Sequence, residues 1–122
     1  MIAHWKVGVI ERDRGNLRQA VEAFEKAIEL DPDNPDFYHN LGTAQRLLGN
    51  PDAALKSYTT ARALKSEDPL LYLNMGSIYQ QKDQVEKAFE AYSFFLARSK
   101  DLGLNAQIIQ EVEKLRKDLP QH

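Results

Sequence analysis

The chain contains no cysteine, which excludes disulfides and thiolate metal sites and leaves the redox compartment open. No apolar run approaches the roughly 18 residues of a membrane span, so none is expected. There is no excess of charge of one sign either: 16 basic and 18 acidic residues leave a formal net charge of −2. With a pI near 5.9, that balance argues against a nucleic-acid-binding domain, which usually carries a basic stripe. The start, Met1-Ile-Ala-His-Trp5, lacks a basic segment followed by an apolar one, so it does not read as a secretory signal, and the expected location is cytoplasmic. Catalytic chemistry is missing as well. His4, His39 and His122 stand at no metal-ligand spacing, no glycine-rich phosphate loop follows a strand, and the acidic residues scatter as on solvated helix faces. No catalytic residue, cofactor or metal is expected, and the chain does not read as an enzyme.

What the chain does have is a period. Ala20, Phe24, Ala27 and Leu30 recur 34 residues on as Ala54, Tyr58, Ala61 and Leu64, and again as Ala88, Tyr92 and Phe95. Self-similarity of this length marks stacked helical hairpins. At 122 residues the whole makes one domain or one run of repeats. The expected units are 1–34, 35–68 and 69–102, followed by a segment 103–122. The first repeat begins at Met1, which suits either a native start or a piece of a longer protein.

Each unit reads as two helices. In the first, a helix from about Ile2 to Arg14 places Ala3, Val7, Ile10 and Arg14 on one face, and a second from Leu17 to Leu30 places Ala20, Phe24, Ala27 and Ile28 together. Gly15-Asn16 supplies a C-terminal glycine followed by an N-cap, and Asp31-Pro32 ends the second helix. In the second unit, Asn34-Pro35 and Asn50-Pro51 place a cap before a proline at the first helical position. Tyr38, Leu41, Ala44 and Leu48 line its first helix, and Leu55, Tyr58, Ala61 and Leu64 its second. The third unit offers Tyr72, Met75, Gly76 and Tyr79, then Val85, Ala88, Tyr92 and Phe95. Glycine inside a helix costs about 1 kcal/mol relative to alanine. Gly8, Gly42 and Gly76 share one register, which suggests a helix that must come very close to its neighbour. Asp83 stands where earlier units carry a turn glycine, so that turn is expected to be slightly strained.

Beyond the repeats, Leu104, Ile108, Val112, Leu115 and Leu119 form one apolar stripe with mixed charges opposite. Such a helix suits the cap that covers the last unit of a solenoid; mixed charges count against a membrane-surface helix. Phe95, bulky where its counterparts are alanine, suggests that its helix meets something the earlier ones do not.

These columns resemble the tetratricopeptide repeat family. The second unit carries the pattern as Tyr38, Leu41-Gly42, Ala54, Tyr58 and Ala61, and the third as Tyr72, Met75-Gly76, Tyr79, Ala88 and Tyr92. The first carries it as Val7-Gly8, Ala20, Phe24, Ala27 and Pro32, departing at His4 and Glu11. The resemblance implies an all-α, right-handed superhelical solenoid of three hairpins plus a capping helix, non-catalytic, binding a protein or peptide in a concave groove lined by the first helices. On the family's pattern, the groove columns here are Trp5/His39/Leu73, Lys6/Asn40/Asn74, Val9/Thr43/Ser77 and Arg12/Arg46/Gln80.

Asn40 and Asn74 are the residues expected to hold a peptide backbone, since an amide can donate and accept at once. Trp5, Val9, Leu70, Leu73 and His39 are expected to shape flanking apolar pockets. Lys6, Arg12 and Arg46 add a basic tint suited to an acidic segment, and Thr43 and Ser77 complete the set. A basic clamp for chaperone C-terminal carboxylates, known in the family, finds only Asn40 among the positions matched to it (Trp5, Val9, Asn40, Leu70 and Asn74), so that partner class is disfavoured. A monomer is expected. The alternatives are self-association through the open N-terminal edge, as a block of a longer solenoid, or service as the recognition module of a larger protein.

Overall fold

The structure, a computed structural model, describes residues 2–119; Met1 and residues 120–122, including His122, lie outside the described residues. Among the described residues there are seven α-helices and no strands: α1 (His4–Asp13), α2 (Leu17–Leu30), α3 (Pro35–Leu47), α4 (Pro51–Ala63), α5 (Pro69–Gln81), α6 (Val85–Arg98) and α7 (Leu102–Asp118). They fall into two compact units, one holding α1 to α4 and ending at Ser66, the other beginning at Glu67 and holding α5 to α7.

Helix starts follow local chemistry. Asn34 Oδ1 accepts the Asp36 amide at 3.0 Å, Asp68 Oδ1 accepts that of Leu70 at 3.0 Å, and Asp101 Oδ1 accepts that of Leu104 at 3.0 Å. Each satisfies an amide that a helix N-terminus leaves unpaired. The caps expected at Asn16 and Asn50 make no such bond. Both follow a left-handed turn whose backbone is already closed on itself. Gly15 N–H donates to Arg12 O and Asn16 N–H to Glu11 O, at 3.0 and 2.8 Å, and Gly49 and Asn50 repeat the pattern on Arg46 and Gln45. This is the Schellman arrangement. The Asn16 amide meanwhile turns back to donate to Glu11 Oε2 at 2.9 Å. The same turn ends α5, with Asp83 at φ 57°, and ends α4, with Lys65 at φ 66°.

In the first unit α1 packs on α2, α2 on α3 and α3 on α4. One cluster joins Ala20, Phe24, Leu41 and Ala44, with Val9, Val21 and Ile28 against it. The small alanines admit the neighbouring helix, and the aromatics fill the space between. The helical glycines show why they are glycine: a Cβ on Gly8 would meet the Phe24 ring at 2.6 Å, one on Gly42 the Tyr58 ring at 2.7 Å, and one on Gly76 the Tyr92 ring at 2.5 Å. Each hairpin is thus closed by a ring laid on bare backbone 16 positions earlier.

The face expected on α1 is corrected by this contact. Gly8 is its buried residue and Val7 is half-buried, whereas Ala3 precedes the helix and Ile10 is 41% exposed. Ile10 lies roughly 200° round the helix from Gly8, away from α2. In the second unit Ala88, Tyr92 and Phe95 of α6 form one cluster with Ile108, Val112 and Leu115 of α7. Phe95 is therefore bulky because it packs on α7.

Candidate functional site

The four columns on the first helices have unequal fates. Trp5 is exposed, with Lys6 Nζ 5.5 Å from its ring centroid. It lines a cavity of about 360 Å³ with Ile2, Leu30, Asp31, Ala27 and Phe37, where the start of α1, the end of α2 and the start of α3 meet. Val9, expected beside it in a pocket, instead packs on the core cluster of the first unit. His39 is buried at 9% exposure, edge-on to the Tyr58 ring at 5.6 Å, and so belongs to the packing under α3 rather than to an open pocket. Leu73 is half-buried against the cluster of the second unit, while Leu70 is 46% exposed on the first turn of α5.

Asn40 is half-buried, and its Oδ1 accepts from Arg12 Nη1 at 3.3 Å. Arg12 also faces Asp13, Nε to Oδ1 at 3.6 Å. Asn74 is half-buried too, and it is already engaged with another group.

The column of Val9, Thr43 and Ser77 serves the core. Thr43 Oγ1 donates to His39 O at 3.1 Å and stands 2.9 Å from Tyr58 Oη, which leaves the tyrosine hydroxyl to donate to it. Ser77 also hydrogen-bonds its tyrosine, here as the donor, since the Tyr92 hydroxyl gives its own proton to Gln80. Where the ring is Phe24, which has no hydroxyl, the column holds Val9. Sequence reasoning missed this pairing, yet its signal was present: a hydroxyl side chain stands in the column only where a tyrosine stands 15 residues later.

The last column also diverges. Gln80 accepts the Tyr92 hydroxyl proton at 2.7 Å through Oε1 and donates through Nε2 to Glu111 Oε2 of α7 at 3.0 Å. That bond from Gln80 is the main cause that holds the Glu111 carboxyl below its ordinary range. Burial raises the Tyr92 hydroxyl above its usual value, the Ser77 bond acts against this, and the charge of Glu111 adds to the rise. Arg46, by contrast, buries its Nε with no hydrogen-bond partner among the described residues. Elsewhere in the second unit, Tyr72 stacks on Phe94 at 5.5 Å, with the Arg98 guanidinium 5.2 and 5.0 Å from the two rings.

Among the described residues no group of three or more histidines, aspartates and glutamates is placed to hold a metal ion, and no helix is long and apolar enough to cross a membrane. Helices paired in antiparallel hairpins, glycine against ring, define a helical repeat protein.

Family models agree: a TPR repeat matches residues 8–49, and tetratricopeptide repeats match 38–70 and 70–93. The chain belongs to the tetratricopeptide repeat family. No curated protein matches it. Among solved structures, it is similar to the type III secretion chaperone SycD of Yersinia enterocolitica in complex with a peptide of the translocator YopD, with a TM-score of 0.86 at 16% identity, covering 94% of this chain and 91% of that one. It is similar to the first TPR of Spaghetti (RPAP3) bound to the HSP90 peptide SRMEEVD, with a TM-score of 0.84 at 21% identity over 94% of this chain and 89% of that one. The Arabidopsis OM64 TPR domain gives 0.83 at 20% identity, covering 95% and 93%. At these identities the likeness concerns the fold.

Proposed function

We propose that the chain is a non-catalytic interaction module whose first-helix face binds a protein or peptide segment. The observation that carries this is the state of Asn40. Arg12 holds its amide oxygen, which orients the side chain and leaves Nδ2 to donate to a peptide carbonyl. Two relatives of the same fold are peptide-bound, SycD with a YopD peptide and RPAP3 with SRMEEVD, which supports the reading. In the first unit the binding set is Asn40 with Lys6, Arg12 and Arg46, bordered by Trp5; the corresponding face of the second unit carries Leu70, Leu73 and Asn74. His39, Val9, Thr43 and Ser77 support that face from beneath.

The test compares proteins retained from a lysate of the source organism by the wild type, Asn40→Ala and Asn74→Ala, with circular dichroism to check the fold. A partner retained by the wild type and released by Asn40→Ala is the expected result; identical retention by all three would refute the reading. A second reading, self-association at the α1 edge, is favoured by the exposure of Ile2 at 61% and Leu30 at 75% around the Trp5 cavity. It predicts a mass that rises with concentration and falls back on Trp5→Ala.

A further inference from the structure

Position 12 of each repeat is occupied by Arg12, Arg46 and Gln80, spaced 34 apart on the last turns of α1, α3 and α5. Two of the three have their polar groups engaged. Arg12 is engaged on two sides, paired with the carboxylate of the adjacent Asp13 at 3.6 Å and donating to the Asn40 amide oxygen at 3.3 Å. Gln80 holds a carboxylate: Glu111 of the amphipathic helix α7 accepts its Nε2–H at 3.0 Å. Arg46 has neither. The residue after it, in the place of Asp13, is Leu47, 51% exposed, and the Nε of Arg46 lies buried with no hydrogen-bond partner among the described residues.

A guanidinium N–H withdrawn from water and left without an acceptor is costly, and a carboxylate is the acceptor whose planar fork fits it. The position of a helix's last turn favours a cation but does not satisfy the Nε–H, which needs a lone pair. The chain itself shows the chemistry that this column accepts, because in the third repeat the group seated on it is a glutamate side chain.

We propose that Arg46 is a carboxylate subsite, and that the segment bound on the first-helix face carries an aspartate or glutamate side chain that seats on it. This rests on the binding reading above and specifies the partner: an acidic protein segment, with an apolar residue beside its carboxylate to meet the exposed Leu47.

The experiment uses the whole chain and an array of 12-residue peptides made in pairs, one member with Asp and Glu, the other with Asn and Gln at the same places. The best-retained acidic peptide is then titrated by fluorescence anisotropy against the wild type, Arg46→Gln, Arg46→Lys and Asn40→Ala. Arg46→Gln should weaken the acidic peptide roughly ten- to hundred-fold, as expected for removing one partner of a charge-assisted pair, and leave its amide counterpart unchanged. Arg46→Lys should recover only part, since lysine lacks the fork. In nitrogen-15 spectra, the Arg46 Nε–H signal of the wild type should shift on adding the acidic peptide and stay fixed with the amide one.

Equal affinity of the wild type and Arg46→Gln for the acidic peptide, or an array without preference for acidic members, overturns the subsite. The two readings fail separately. A peptide weakened by Asn40→Ala but not by Arg46→Gln keeps the binding face and removes the subsite. One weakened by Arg46→Gln but not by Asn40→Ala keeps the subsite and removes Asn40 as a contact to the peptide backbone.

Discussion

Replacing Gly42 by alanine should destabilise the protein, although alanine is the better helix former by about 1 kcal/mol. The added Cβ would stand 2.7 Å from two carbons of the Tyr58 ring and 3.1 Å from the Ala54 carbonyl oxygen. Neither neighbour yields easily. Tyr58 is fully buried, edge-on to His39, and its hydroxyl is 2.9 Å from Thr43 Oγ1. Moving the ring loosens both contacts, and the carbonyl is backbone. Overpacking of this kind costs about 1–3 kcal/mol, and weakening the tyrosine hydrogen bond adds about 1 more. Set against the gain in propensity, the net loss is about 1–3 kcal/mol, or a fall in Tm of roughly 3–15 °C for a chain of this length. Urea and thermal unfolding followed by far-ultraviolet circular dichroism measure it. Gly103→Ala is the control, because a Cβ there meets nothing nearer than Asp101 Oδ1 at 3.7 Å. The same substitution at that site should be neutral or stabilising by up to about 1 kcal/mol. If Gly42→Ala proved as harmless as Gly103→Ala, the close approach of ring to backbone would not be what demands glycine, and the reasoning would fail.

Three further outcomes follow from the second unit. Phe95→Ala removes the ring that α7 packs on and should cost about 3–5 kcal/mol, read as a lower urea midpoint together with faster hydrogen exchange in α7. Asp83→Gly should raise Tm, by about 1 kcal/mol of stability, because Asp83 holds φ at 57° where glycine carries no steric penalty. Gln80 holds the Glu111 carboxyl below its ordinary value of 4.5. That stability is therefore fully present above the unfolded value and is lost as pH falls through the lower folded one. Glu111→Gln should flatten the acid limb of a plot of urea midpoint against pH; an unchanged limb would place the titration elsewhere.

The core was legible because its partners are set by the period. The shared register of Gly8, Gly42 and Gly76 announced a close approach between helices, and the structure shows what makes it: the rings of Phe24, Tyr58 and Tyr92, each 16 places later. The stripe from Leu104 to Leu119 and the odd bulk of Phe95 likewise pointed to each other. Caps were harder to read. Asn16 and Asn50 carry the right residue type, but whether a side chain caps depends on how the preceding turn closes, and a Schellman turn had already fixed the backbone there.

Surface columns obey a different logic, since repeat equivalence fixes where a side chain starts and not what it meets. Trp5, His39 and Leu73 are equivalent in register, yet one is exposed over a cavity, one is buried on a tyrosine and one joins the core of the second unit. The differences are made by neighbours outside the column. A phenylalanine in place of tyrosine frees position 9 from supplying a hydroxyl, and α7 supplies a carboxylate to position 80, whereas the Nε at position 46 has no acceptor among the described residues. The proposed binding face is accordingly sought by asking, repeat by repeat, which member of a column lacks a partner among the described residues. In the column at positions 12, 46 and 80 that is Arg46, whose Nε is buried with no hydrogen-bond partner among them.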